Sequence, residues 1–227
     1  MSFPFQRTPQ TFPQPSLGHR RGAYASPKNF NGDLVLGDGR GRVVTADSHT
    51  ELVCILCLAA HPDTAEIVEQ QRFVWRDRHD VSHEHYFDVL VQERSGRLMA
   101  YAVRPEARIT REYEDRMSLI RMQAIETGFA SDVRFLTELS FDSIAKHNAM
   151  LLHGSRRPDV EVDEVARTVV RTMSGIVEIE TLCDRIGLSG SGFRAVVRLL
   201  RSRHLQLLSH ERISRTSRVF KPMGDWA

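Results

Sequence analysis

The stretch YFDVLVQERSGRLMAYAVRP, residues 86–105, contains two apolar runs separated by a short polar segment with one glycine. Runs of this length, rich in Val, Tyr and Phe and joined through a glycine, predict a β-hairpin. A three-residue loop at 95–97 would pair position 88 with position 104. Asp88, Ala102 and Arg104 would then project from one face of the sheet, and a shift of one residue would break this arrangement.

Asp88 interrupts an almost continuous apolar run, of the kind expected for a strand that is buried on both faces. A buried carboxylate without a partner is costly, so a metal ion, a cation or hydrogen-bond donors should lie beside it. A metal-dependent phosphodiesterase needs two or three carboxylates for Mg²⁺ and a cation that stabilises charge on the phosphate. The sequence offers Glu51 from a helix, Asp88 from a strand and Arg104 from the next strand for those roles.

The segments around this hairpin predict alternating helices and strands. Ser48 is a plausible N-cap with Glu51 three residues later, and this spacing predicts a helix that runs to about Ala60. The stretch DTAEIVEQQ, residues 63–71, is interpreted as a second amphipathic piece that leads into a strand. Further along the chain, the pattern predicts a helix over 106–128, a strand over 132–141 and a helix over 142–154.

The last third of the chain has a different pattern. Residues 185–221 contain eight arginines and one lysine against a single acid, a balance of +8, although the whole chain carries only +2. Three short helical patterns precede two β-prone stretches, which is the layout of a helix-turn-helix with a wing. Arg194, Arg198 and Arg201 form one stripe on the third helix, and Arg215 extends it. They predict contact with DNA; a solvated face or a subunit contact is the alternative.

The cysteines and histidines favour structural roles. Cys54 and Cys57 form a C-x-x-C inside an apolar helical run, so small buried side chains explain them better than a zinc or redox site. His83 and His85 share a strand face, and structural or surface roles are favoured over a transition-metal site. With three cysteines, no signal-peptide layout and no apolar run long enough for a bilayer, the sequence predicts a cytoplasmic protein without membrane contact.

Several short motifs occur in an order that is itself informative. They are ASPKN at 25–29, the S-x-x-E helix start, the HPD…I…Q connection, the aspartate of YFDVLV, and the pair RFLTELSF and AKHNAMLLH. In this order they resemble the N-terminal catalytic domain of TnsA, the endonuclease subunit of heteromeric transposases. The resemblance implies a PD-(D/E)XK restriction-endonuclease-like α/β fold over residues 23–155, a mixed sheet flanked by helices. A flexible arm at 1–22 would precede it, and a small helical winged-helix-like domain at 156–227 would follow.

The resemblance also implies roles for individual residues. Glu51 and Asp88 would hold Mg²⁺, whereas Arg104 stands where the family has a catalytic lysine and Ala102 where it has an acid or a glutamine. Ala102 removes a metal ligand. Arg104 keeps a positive charge and binds phosphate well, but it lacks the compact ammonium of lysine. Three other acids could supply the metal ligand that Ala102 lacks: Glu84, Glu93 and Glu106.

Three functions follow from these observations. The chain is either a DNA endonuclease subunit that works with a transposase subunit and an ATPase regulator, or a catalytically impaired nuclease-fold protein that binds DNA or assembles a complex. The third alternative is a winged-helix regulator in which residues 156–227 hold most of the DNA affinity. The residues at positions 102 and 104 leave open whether the chain cleaves DNA.

Overall fold

The fold was analysed in a computed structural model, which describes residues 12–20 and 30–222. The stretch ASPKN lies outside the described residues, as do residues 1–11 and 21–22 of the predicted arm. The first part of the chain contains β1 (Gly32–Leu36), β2 (Arg42–Ala46), α1 (His49–Ala60), β3 (Thr64–Arg76), β4 (Ser82–Glu93), β5 (Leu98–Val103), α2 (Arg111–Glu126), β6 (Asp132–Leu136) and α3 (Ser143–Gly154). The second part contains α4 (Val160–Arg171), β7 (Ile176–Glu178), α5 (Ile179–Ile186), α6 (Ser189–Arg201), β8 (Gln206–Leu207) and β9 (Arg218–Phe220).

A four-stranded sheet in the order β3-β4-β5-β6 forms the centre of the first part. The β3–β4 and β4–β5 pairs are antiparallel and the β5–β6 pair is parallel. Helices α1 and α3 pack with the β1–β2 hairpin in one apolar core, and α2 contributes to a second. The predicted α/β class, with a mixed sheet flanked by helices, is confirmed.

The long β3–β4 ribbon changes the face that it presents to the two cores. Val89 belongs to the core beneath α1, whereas Phe87 belongs to the core beneath α2. Ile67 and Phe73 on β3 show the same change. Residues separated by an even number of positions share one face of a regular strand, so the ribbon must turn between these pairs. Asp88 therefore lies at the point where the two cores meet.

The β4–β5 hairpin has its loop one residue earlier than predicted. Its three-residue loop lies at 94–96, because its glycine takes the third position with a φ of 86°, a left-handed conformation that favours glycine. Leu90 pairs with Ala100. The predicted pairing of position 88 with 104 is therefore wrong, since this register brings position 102 opposite 88. A change of two residues leaves Asp88 and Ala102 with the same strand parity.

Two other local predictions had different outcomes. The helix beginning after Ser48 is confirmed, since Ser48 Oγ accepts a hydrogen bond from Glu51 N at 3.1 Å and α1 ends at Ala60. The interpretation of residues 63–71 as a separate amphipathic piece is wrong, because they belong to the single strand β3. Alternating burial on this strand was obscured in the sequence by three consecutive polar residues, Glu69, Gln70 and Gln71.

The second part of the chain has its own apolar core. Side chains of α4, α5 and α6 surround residues such as Leu182 and Val196, and β7, β9 and β8 form a small antiparallel sheet beside them. The three predicted helices and two predicted strands occur in the expected order, with β7 as an addition. This part contacts α3 through Asn148, whose side chain donates to Glu211 O at 2.8 Å and accepts from Ile213 N at 2.9 Å.

Candidate active site

Glu51 lies in the first turn of α1 and is 3% exposed. Its Oε2 accepts a hydrogen bond from Asp47 N at 2.9 Å, and its Oε1 accepts one from Gln70 Nε2 at 2.9 Å. Burial, and after it the nearby charge of Asp88, raises the pKa of Glu51 to about 8 despite these hydrogen bonds. A glutamate held under such conditions is protonated at neutral pH unless a cation lies next to it.

Asp88 lies on β4 and is half-buried. Its Oδ2 accepts a hydrogen bond from Val103 N at 2.7 Å, and its Oδ1 lies 3.4 Å from Gln70 Nε2. Burial raises the pKa of Asp88 to about 6, while the two hydrogen bonds and the Arg20 guanidinium oppose that increase. The structure thus brings the two predicted carboxylates together, with one amide side chain between them.

Gln70 is the residue of this site that the sequence analysis missed. It is 1% exposed, and it has a left-handed φ of 49°, which is uncommon for a residue other than glycine. Its main-chain carbonyl accepts from His19 N at 3.0 Å instead of joining the ladder to β4. Outliers of this kind cost about 1–3 kcal/mol and cluster at functional sites. The polar triplet 69–71 in a strand was the available signal.

The oxygen of the Gln70 side chain has an unusual environment. Gln70 Oε1 is buried and has no hydrogen-bond partner among the described residues, although its Nε2 contacts both Glu51 and Asp88. Carboxylate and amide oxygens are the ligands that Mg²⁺ and Ca²⁺ prefer. No group of three His, Cys, Asp or Glu side chains suited to a metal ion occurs in the described ranges. Gln70 presents its amide nitrogen to both carboxylates, so its oxygen would become a third ligand only if the amide turned over; the three oxygens would then suit a hard divalent cation.

Positions 102 and 104 do not complete this site. Ala102 is 2% exposed and packs in the core with α2, so it supplies no ligand. Arg104 follows the last residue of β5, and its Nε donates to Arg108 O at 2.8 Å. Its guanidinium carbon lies 4.2 Å from the centre of the Tyr113 ring, a cation–π contact. These contacts orient Arg104 toward α2, and its role toward phosphate stays a prediction.

Residues 12–20, here called the strap, bring the positively charged guanidinium of Arg20 to the site. Ser16 Oγ donates to Glu69 Oε1 at 2.5 Å, and the ring of His19 accepts from Arg72 N at 3.1 Å. Arg20 then pairs with Asp47 at 2.8 Å, and its charge acts on Asp88. This part of the predicted flexible arm lies against β3 through these contacts.

The four arginines predicted to bind DNA have different surroundings. Arg198 pairs with Asp163 at 2.5 Å in a contact that leaves both side chains 13% exposed. Arg201 pairs with Asp38, and Arg215 pairs with Glu180 at 3.0 Å. Arg194 is exposed and has no ion-pair partner in the part of the chain that the structure describes. The stripe is therefore neutralised along most of its length.

The remaining candidates are structural. Cys54 and Cys57 are buried thiols on α1, and burial raises their pKa to about 12 and about 11. Thiols with such pKa values are poor nucleophiles and poor metal ligands at neutral pH. His83 pairs with Asp77 at 2.9 Å, and His85 packs edge-on against Phe87. The sequence-based preference for structural roles agrees with these contacts.

Comparison with known proteins adds no assignment to this geometry. No family model matches the sequence, and no curated protein matches it. Among the described residues, no helix combines the length and the apolar content that a membrane span requires. Glu51, Asp88 and Gln70, with their hydrogen-bond partners, therefore form the candidate site.

Proposed function

We propose that this chain is a TnsA-like DNA endonuclease subunit, or a derivative of one, that hydrolyses DNA phosphodiesters with Mg²⁺. The observation that carries the proposal is the trio of Glu51, Asp88 and Gln70, in which a buried and a half-buried carboxylate with raised pKa values flank an amide whose oxygen lacks a partner among the described residues. Perturbed carboxylates in pairs are typical of functional sites. The transposase partner, the ATPase regulator and the cytoplasmic setting follow from the family resemblance and belong to the same proposal.

The carboxylates and Arg20 would have separate roles in the reaction. Glu51 and Asp88 would hold the cation through carboxylate oxygens, and Gln70 would add its oxygen after its amide group turns over. A bound divalent cation supplies a water of lowered pKa and neutralises charge on the scissile phosphate. Arg20 would stabilise negative charge on the phosphate oxygens, because it is the guanidinium whose charge acts on Asp88. It would thus perform part of the role that the family assigns to lysine.

A second function is favoured by one specific observation. Ala102 is buried against α2 in the place where the resemblance expects a ligand, and Arg104 contacts Tyr113 and Arg108 instead of the carboxylates. A cation site with these departures would bind metal but cleave slowly. The second candidate is therefore a catalytically impaired nuclease-fold protein that binds DNA or assembles a complex.

The test combines plasmid nicking with direct measurement of metal binding. Wild-type protein is expected to nick supercoiled plasmid with Mg²⁺ or Mn²⁺, and Asp88→Asn is expected to reduce the rate by at least about 100-fold, the effect of removing a positioned catalytic group. Asp80→Asn is the matched control, because Asp80 is exposed in the β3–β4 turn and has a left-handed φ that asparagine also adopts.

Calorimetric titration with Mn²⁺ separates the two candidate functions. Binding that Asp88→Asn abolishes, accompanied by nicking, supports the endonuclease. The same binding without nicking, alone or with a transposase partner, supports the impaired protein. If wild-type protein binds no Mn²⁺, the endonuclease is ruled out, and the catalytically impaired protein, which needs no cation to bind DNA or assemble a complex, remains.

Arg20→Ala is expected to slow nicking by about 10–100-fold without weakening Mn²⁺ binding. The lost guanidinium would no longer stabilise charge on the phosphate. Its removal also takes a positive charge away from the carboxylates, so the affinity for Mn²⁺ should stay equal or increase. Arg20→Lys should recover part of the rate, and Arg78→Ala, at an exposed arginine in the β3–β4 turn, should leave it unchanged. Parallel loss of nicking and of Mn²⁺ affinity would indicate only a structural role.

A further inference from the structure

A cleft of about 310 Å³ lies between the end of α3 and the outer side of α6, formed by residues unrelated to the carboxylate site. Its lining comprises Gly154, Ser155, Arg156, Arg157, Arg194 and Arg198. No acidic side chain contributes to that lining. Four arginines line one concave surface, and this requires an explanation because like charges repel at short range.

One of the four arginines is neutralised and fixed in place. Arg198 contacts Asp163 Oδ1 through Nε at 2.7 Å and through Nη2 at 2.5 Å, and its Nη1 lies 3.5 Å from Ser155 O. These contacts fix the position of the Arg198 guanidinium in the cleft lining. Its bonds to Asp163 account for its presence in the fold without any ligand.

The other three arginines are not neutralised. Arg157 and Arg194 are exposed, and neither forms an ion pair with any residue in the described ranges. Arg156 is half-buried, and within the described ranges its guanidinium donates one hydrogen bond, to the His153 carbonyl at 3.3 Å. Burial, followed by the charges of Arg157 and Arg201, lowers the pKa of Arg156. The cleft therefore holds three positive charges that no carboxylate of this structure balances.

The chemistry of these groups limits what can bind. Guanidinium groups offer planar pairs of N–H donors that match the oxygens of phosphate, and they remain charged at all physiological pH values. Three unbalanced charges suit a ligand with several negative charges better than a single carboxylate. A Cβ added at Gly154 would meet no atom within 4 Å, so there is open space beside this lining residue. We propose that this cleft binds phosphate groups, a second site that is separate from the carboxylates.

The phosphate can belong to a free phosphorylated ligand or to the backbone of a nucleic acid, and two probes separate these sources. Pyrophosphate is titrated by calorimetry, and a short DNA duplex is titrated by fluorescence anisotropy at several salt concentrations. The test variant is Arg157→Gln with Arg194→Gln. The matched control is Arg78→Gln with Arg111→Gln, two exposed arginines from the β3–β4 turn and the start of α2.

The double variant at the cleft is expected to bind at least one probe more weakly by about 10-fold or more, while the control binds as the wild type does. Loss of pyrophosphate binding with unchanged DNA binding identifies a free phosphorylated ligand. A decrease of about 2 in the slope of log K against log salt identifies the DNA backbone, since each phosphate contact contributes about 0.9. The melting temperature should not fall, because the substitutions remove mutual repulsion.

The proposal is overturned if the wild type and the cleft variant bind both probes equally. It is also overturned if the wild-type protein binds neither pyrophosphate nor the DNA duplex. Both titrations are carried out in EDTA, so that the carboxylate site holds no cation. The result therefore does not depend on whether the carboxylate site cleaves DNA, and failure of one site is distinguishable from failure of the other.

Discussion

The free energy of unfolding of the wild-type protein is expected to fall as the pH rises from about 4.5 to about 8, and replacing Glu51 with glutamine should abolish most of this fall. The pKa of Glu51 is about 8 in the folded protein and 4.5 in the reference state. Between these values the folded state retains a proton that the unfolded state has released, so the free energy of unfolding falls as pH rises. The full difference corresponds to about 5 kcal/mol, at 1.36 kcal/mol for each pKa unit.

Urea denaturation in EDTA at pH 5, 6.5 and 8.5 measures this effect. The two proteins should differ least at pH 5, which lies just above the reference pKa of 4.5, and the variant should be the more stable at pH 8.5. Glu112→Gln, at an exposed glutamate in the first turn of α2, is the matched control and should retain the wild-type slope. An identical slope for wild type and Glu51→Gln would show that the glutamate ionises normally. Mg²⁺ should restore wild-type stability at pH 8.5 if Glu51 contacts the cation.

Arg42→Met is expected to destabilise the protein by about 3–5 kcal/mol, the range for removing one partner of a buried ion pair. Arg42 Nη1 lies 2.8 Å from Glu69 Oε2, and the exposed fractions of the two side chains are 12% and 0%. The same guanidinium also donates to the Ile67 carbonyl. Without it, the Glu69 carboxylate would keep only the hydroxyl of Ser16 and would lie uncompensated beneath the strap.

Thermal or urea unfolding at neutral pH checks this value, and a double variant apportions it. Arg42→Met combined with Glu69→Gln should recover part of the loss, because the second change removes the unpaired charge. Arg121→Met is the matched control, since Arg121 forms an exposed pair with Asp132 at 2.7 Å; the expected loss is below about 1 kcal/mol. If Arg42→Met also lowered the free energy of unfolding by less than about 1 kcal/mol, the stabilising role of the buried Arg42–Glu69 pair would be contradicted.

The sequence was sufficient where local chemistry determined the outcome. The Ser48 cap predicted the start of α1, and the isolated carboxylate in an apolar run identified Asp88 as a residue that needs partners. The pairing error in the β4–β5 hairpin was small, because the position of one glycine decides where a three-residue loop closes. The parity of a strand survives a change of two residues, so the relation between Asp88 and Ala102 was preserved.

The sequence was insufficient where distant segments determine the site. Gln70 enters the site through a left-handed backbone conformation that its residue type does not predict. Arg20 reaches Asp47 from a segment rich in Pro and Gln that reads as a flexible arm. The spacing of Arg194, Arg198 and Arg201 established that they share a helix face, but it gave no information on their acidic partners. Asp163 and Asp38 come from other elements of the fold.

The hydrogen bonds to the two carboxylates also give the protein two built-in spectroscopic probes. Val103 donates its amide proton to Asp88, and Asp47 donates its amide proton to Glu51. Amide chemical shifts in a ¹H–¹⁵N spectrum follow the charge of the group that accepts the proton, so each resonance reports mainly on the carboxylate to which it donates, with a smaller response to the other carboxylate. Their midpoints should fall near pH 6 and pH 8. Ionisation at the centre of the molecule can thus be followed from two backbone signals, without labelling any side chain.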